Sequence, residues 1–250
     1  MIRHKGHFAI GLILFFSFIV VLIAMFSPLF PGGLNGLQWA DEMFNRLAKG
    51  SSYFIPKVAK DIDQYKGTMF STTLKMGKPE DKPGDADKRA LRSGVILAAA
   101  GAKVEVKGEE LKIIEADLGK IVEAAIRDSE TMFNNGGEKL KELYAADMKT
   151  DDFKQIYRQW NNTLPKISKY FEKEKKMKER KICVDIVKKA VEPAYNFYGV
   201  EAVKVKEHAG LMAFLLIFYV VYTLWWGFAI FDLFEAAGLS MKKAKVKKEV

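Results

Sequence analysis

Cysteine is almost absent from this chain: Cys183 is the only one in 250 residues. No disulfide can form within the chain. A cysteine-based zinc site and an iron–sulfur cluster are excluded by the same count. Without a C-x-x-C-H motif there is no covalent c-type haem. Histidine is scarce too, with His4, His7 and His208 as the whole supply. The calcium-loop pattern D-x-D-x-D-G-x5-E does not occur. No glycine-rich phosphate loop follows a strand; Asn135-Gly136-Gly137 reads instead as the stop of a helix. Catalytic and cofactor motifs are therefore missing, and the expectation is a chain that is not an enzyme and carries no cofactor or metal.

A second lack is more telling. Residues 8–29 and 210–231 are long apolar runs without a single charged side chain. Twenty apolar residues at about 1.5 Å each cross the ~30 Å hydrocarbon layer of a bilayer. Ion pathways and proton relays inside a membrane need a charge, so a carrier acting alone is not expected. Neither run contains histidine, which leaves haem between them unsupported. The first run is longer than a usual signal-peptide core and no A-x-A-like site follows it, so a retained anchor is expected.

The expected fold is a mainly α membrane protein. Two transmembrane helices, 8–29 and 209–231, flank an extracytoplasmic α+β domain, 30–208. A short N-terminus, 1–7, and a basic tail, 232–250, lie on the other side. Arg3 and Lys5 precede the first span; Lys242, Lys243, Lys245, Lys247 and Lys248 follow the second. By the positive-inside rule both termini are cytoplasmic and the domain is periplasmic, in the inner membrane of a cell with two. The formal charge of +9 divides into +2 before the first span, +2 after the second and +5 between them. A mildly basic outer domain suits an acidic partner or anionic headgroups; nucleic acid is not expected there.

Periodicity predicts the elements of the domain. Pro28 and Pro31 end the first span, ahead of Gly32-Gly33. Residues 37–47 form an amphipathic helix with Trp39 suited to the membrane interface or to the domain's core. Residues 56–65 form another, with proline in its first turn. Residues 68–76 alternate with period two, 85–100 are helical, and 103–107 and 110–114 form a hairpin, giving a small β-α-β-β sheet. Helices follow: one capped by Asp117, one over 138–144, and one capped by Asp151 or Asp152 that Pro165 should kink or divide. The last carries Cys183, Val187, Ala190, Ala194 and Tyr198 on one stripe, and its pattern runs past Pro193 towards the second span as one rod.

The second span holds the candidate site. Tyr219, Tyr222, Thr223 and Trp226 are spaced three and four apart and share one helical face. Hydroxyls inside lipid need a partner. That partner is either another protein's transmembrane helix or the first span, and the latter offers only Ser17 and Ser27. The five tail lysines are expected to touch anionic lipid headgroups. Two functions fit. One is a non-catalytic accessory subunit of a larger membrane complex of respiratory or transport type, contacting other integral membrane subunits through the second span and the periplasmic domain. The other is a two-span sensor whose domain binds a ligand and signals to a separate protein. That layout is similar to bacterial chemoreceptors and sensor kinases in architecture only, since the tail leaves no room for a signalling module. A homo-oligomer is compatible with either.

Overall fold

A computed structural model describes residues 3–239 of the chain. It is mostly helical, with one three-stranded antiparallel sheet. Two helices, α1 (Lys5–Phe26) and α10 (Ala209–Ala237), are long and apolar enough to cross a membrane. The chain divides into two compact units, residues 1–47 with 203–250, and residues 48–202.

In the first unit α1 and α10 run antiparallel. Arg3 N–H donates to the Ala236 carbonyl at 2.8 Å, and Phe18 stacks on Tyr222 at 4.3 Å. Both helices are apolar all round, the pattern of a helix in an apolar medium. Their bounds differ from the expected spans. The first begins earlier, at Lys5, and stops at Phe26 rather than Leu29. Ser27 is extended (φ −87°, ψ 152°), as the residue before a proline prefers. The second runs on past Phe231 to Ala237. Helix α2 (Gly36–Ser51) is also longer than its apolar pattern. Its start is a reciprocal pair, Gln38 N–H to Asn35 Oδ1 at 2.9 Å and Asn35 N–H to Gln38 Oε1 at 3.1 Å, which is a capping box.

The second unit has a continuous apolar core. After the short α3 (Ile55–Ala59) comes β1 (Met69–Lys75), then α4 (Asp85–Ala99), β2 (Lys103–Lys107) and β3 (Glu110–Asp117). The expected β-α-β-β segment is present, with β3 in the middle: Leu74 faces Leu111, and Val106 faces Leu111 from the other side. Phe70, Leu74, Leu111 and Ile113 are buried, as alternation requires. The expected helix over 56–65 is broken, since only a single 3₁₀ turn, Asp63–Tyr65, follows Ala59.

Asp117 ends β3 and starts α5 (Leu118–Phe133). Its Oδ1 accepts from Gly119 N–H at 2.8 Å and its Oδ2 from Gly67 N–H at 3.0 Å, so one side chain caps the helix and ties down the loop before β1. Helix α5 is buried along most of its length and centres the unit. Around it lie α6 (Gly137–Met148), α7 (Lys154–Lys173), α8 (Met177–Ile186) and α9 (Glu192–Asn196). Between α8 and α9 the backbone takes one π-helical stretch, Val187–Val191.

Two expectations are narrowed here. Pro165 does not divide α7, which is one helix from Lys154 to Lys173. The proline removes only the bond that its own N–H would give to the Asn161 carbonyl. Nor does the last helix continue into the second apolar segment. It ends at Asn196, and Gly199 turns the chain with φ +83°, a conformation that breaks a helix.

Candidate functional site

Two helices of the second unit face each other with polar stripes where apolar ones are usual. On α4, Asp85, Lys88, Arg89 and Arg92 are spaced i, i+3, i+4, i+7 and form one stripe. Asp85 and Asp87 in its first turn suit the positive end of the helix. The other side of α4 buries Ala90, Gly94 and Leu97. On α7, Gln155, Arg158, Gln159 and Asn162 have the same spacing, while Ile156, Trp160, Leu164, Ile167 and Phe171 are buried on the core side. The two stripes, with Lys78 and Asn161, enclose a cleft of about 410 Å³. That lies within the usual range for small-molecule sites, ~300–1,000 Å³.

Five cations line this cleft against one lining carboxylate, Asp85. Arg89 is already committed. Its guanidinium makes a two-pronged pair with Asp81 at 2.8 and 2.5 Å and also donates to the Met76 carbonyl at 2.5 Å. The Arg89 guanidinium holds the Asp81 carboxyl at about 2. Arg158 lies 3.6 Å from Asp152. Arg92 spends its Nε on the Met148 carbonyl at 3.3 Å. Among the described residues, Lys78, Lys88 and Arg92 form no side-chain ion pair with a carboxylate, although the Lys78 N–H donates to Asp81 Oδ2 at 2.7 Å and its charge also lowers the Asp81 carboxyl. Nearby Lys166 is lowered from the ordinary lysine value by burial, and then by the positive charges of Lys169, Arg89 and Lys78.

The floor of the cleft is built. Gln159 is 3% exposed, and its Oε1 accepts from the fully buried Ser93 hydroxyl at 3.1 Å. Its Nε2 is left with a long contact to Gln155 Oε1, 3.4 Å. The Asn161 carbonyl, facing a proline at position 165, has no i+4 donor. Cations and side-chain amides therefore line one space. Sequence reasoning missed it because it followed only the apolar face of each helix. The repeated i, i+3, i+4, i+7 polar stripe was the available signal.

A second polar cluster lies under α5. Asp128 is 1% exposed and accepts from Tyr144 Oη at 2.8 Å, Trp160 Nε1 at 2.9 Å and Arg127 Nη2 at 3.0 Å. Burial pushes its carboxyl above the ordinary value, against the pull of those donors. The cavity beside it is about 10 Å³, room for no more than one water. That is a structural centre rather than a binding site.

The four residues expected at a partner interface divide in the first unit. Tyr222 and Trp226 turn to α1 and lie 4.3 and 4.7 Å from the Phe18 ring. Thr223 Oγ1 donates to its own helix, to the Tyr219 carbonyl at 2.8 Å. Tyr219 is 67% exposed, and its hydroxyl has no partner among the described residues. The α1–α10 polar contacts come instead from unexpected places. Trp225 Nε1 donates to the Leu14 carbonyl at 3.1 Å, and His7 Nδ1 lies 2.6 Å from Asp232 Oδ1. Lys242, Lys243, Lys245, Lys247 and Lys248 lie outside the described residues. Cys183 is fully buried, and burial pushes its thiol up to about 12. Among the described residues no three His, Cys, Asp or Glu side chains converge as metal ligands. No protein-family model, curated protein or solved structure matches the chain.

Proposed function

We propose that the chain is a non-catalytic accessory subunit of a larger membrane assembly, of respiratory or transport type. In this reading α1 and α10 are antiparallel spans of the inner membrane. Both termini are cytoplasmic, and residues 48–202 lie on the periplasmic side with the cleft. The lengths of the two helices support spanning, and Arg3, Lys5 and the tail lysines support the orientation. The tail lysines would add about 1 kcal/mol each against anionic headgroups.

The observation that carries the subunit reading is Tyr219. Its phenol is largely exposed, within the apolar stretch of α10, and its hydroxyl has no partner among the described residues. Lipid tails accept no hydrogen bond. A transmembrane helix of another subunit, presenting a carbonyl or hydroxyl at that depth, would satisfy it. Hydrogen bonds between membrane helices average about 0.6 kcal/mol and reach about 1.7. Tyr219→Phe should therefore weaken retention of foreign subunits by about three- to twentyfold. The test is gentle detergent extraction of the tagged chain, native mass measurement and identification of co-eluting proteins. Co-purification identical in Tyr219→Phe, or no foreign subunit at all, would remove this reading.

The cationic cleft favours a second reading. There the domain is a receptor that binds a ligand outside the membrane and passes the event to a separate protein.

A further inference from the structure

We infer that the cleft between α4 and α7 binds a phosphate group carried on a small hydroxyl-rich body. This deepens the receptor reading and rests on it for the ligand's role. Among the described residues, three lining cations, Lys78, Lys88 and Arg92, form no ion pair with a carboxylate. A carboxylate ligand would leave most of that charge uncompensated. A phosphate monoester carries about −1.5 to −2 at neutral pH and three strong acceptor oxygens, so it matches both the charge and the number of donors. Arginine and lysine supply complementary contacts: the fork of Arg92 takes two oxygens, and Lys88, one turn away on the same stripe, acts as a point charge.

The rest of the cleft has the chemistry of a polyol site. About 410 Å³ is far more than a bare phosphate fills. The side-chain amides of Gln159, Asn161 and Asn162 offer both donors and acceptors, which hydroxyl groups need and an apolar body does not. Asp85, the one lining carboxylate, accepts from Lys82 N–H at 3.2 Å and sits one turn from Lys88 and Arg89. It can take a ligand hydroxyl but would repel an oxyanion placed against it, so the phosphate belongs nearer Arg92. The bidentate Arg89–Asp81 pair fixes the rim and is not spent on the ligand. A free sugar or polyol phosphate and the monoester headgroup of phosphatidic acid share this chemistry.

The test is calorimetric titration of the detergent-solubilised full chain at pH 7.5 with glycerol 3-phosphate, inorganic phosphate and acetate. Glycerol 3-phosphate should bind most tightly, inorganic phosphate more weakly, and acetate at least about tenfold more weakly still. Lys88→Gln with Arg92→Gln should reduce phosphate binding about tenfold or more, and Lys88→Gln alone, an exposed change, should give part of the loss. Lys120→Gln, an exposed lysine away from the cleft, should change nothing. Absence of phosphate binding, equal binding of acetate, or an undiminished double variant with unchanged thermal unfolding would overturn the inference. In nanodiscs, glycerol 3-phosphate binding lost with phosphatidic acid but kept with phosphatidylcholine would assign the lipid headgroup; binding kept in both would assign the soluble ester. Phosphate bound while no partner protein is recruited would leave the site standing and remove the receptor reading.

Discussion

At the scale of single residues, the least replaceable side chain of the second unit is Asp128. Its Oδ1 faces the Arg127 guanidinium and its Oδ2 faces the Tyr144 hydroxyl and the Trp160 indole N–H. Arginine and tryptophan can only donate. Asp128→Asn keeps the shape, but its amide NH2 must then meet one of these donors. Burial pushes the Asp128 carboxyl up, which alone would suggest that a neutral side chain is welcome. The donor geometry argues the opposite, because it needs two accepting oxygens. Asp128→Asn should cost about 1–3 kcal/mol, read as a lower urea midpoint at pH 7. A cost under about 0.5 kcal/mol would mean that the native carboxyl is already protonated and donating. None of this was legible in the sequence. Asp128 lies on the apolar side of α5, among residues that the period marks as core, and its partners come from positions 16 and 32 residues on. Lys49 is a similar case: 3% exposed, donating to the Val200 carbonyl at 2.6 Å and lowered by burial, with no local pattern to announce it.

At the scale of elements, local signals were read well and long-range ones were not. The β-α-β-β order, the Asp117 cap and the apolar stripe of α7 follow from period and capping chemistry, which act within a few residues. The π-helical stretch at Val187–Val191 depends on how Val187, Ala190 and Val191 fill the core, which no short window encodes. Pro165 does not divide α7, since one missing bond does not break a helix held by Leu164, Ile167 and Phe171. The cationic cleft was half legible, since both polar stripes stand in the sequence but their facing does not. The α1–α10 pair shows the same limit. Gly11 is a point of close approach, where an added Cβ would lie 2.9 Å from Leu233 N and 3.1 Å from Asp232 Cβ. Ala229 and Ala236 are buried on α10, and small residues of this kind let two helices approach in an apolar medium. Gly11→Val should force the helices apart and weaken the hairpin by about 1–3 kcal/mol. The loss should appear as a lower midpoint in denaturation by sodium dodecyl sulfate, with Gly6→Val, which meets nothing within 4 Å, as the silent control. Equal midpoints would mean that the pair is not held at Gly11.

For the whole molecule, the proposed topology makes one prediction that the native cysteine renders simple to read. Cys183 is fully buried and its thiol is pushed up to about 12, so at pH 7.5 it is neither exposed nor ionised. Thiolate is the reactive form, so the native chain should stay silent to a membrane-impermeant maleimide until it is unfolded. New cysteines then report position without removing the old one. Ser71 is exposed on β1, in the unit 48–202, and Lys5 opens α1. Ser71→Cys should be labelled on cells with a permeabilised outer membrane and an intact inner one. Lys5→Cys should be labelled only after the inner membrane is opened. Labelling of both before that step would mean that α1 does not cross as a retained span. Labelling of Lys5→Cys but not of Ser71→Cys before that step would put the domain in the cytoplasm and reverse the reading of the flanking charges. The expected pattern places the cleft between α4 and α7 outside the inner membrane, where a phosphate ester must be sought among periplasmic solutes or the outer leaflet rather than among cytoplasmic metabolites.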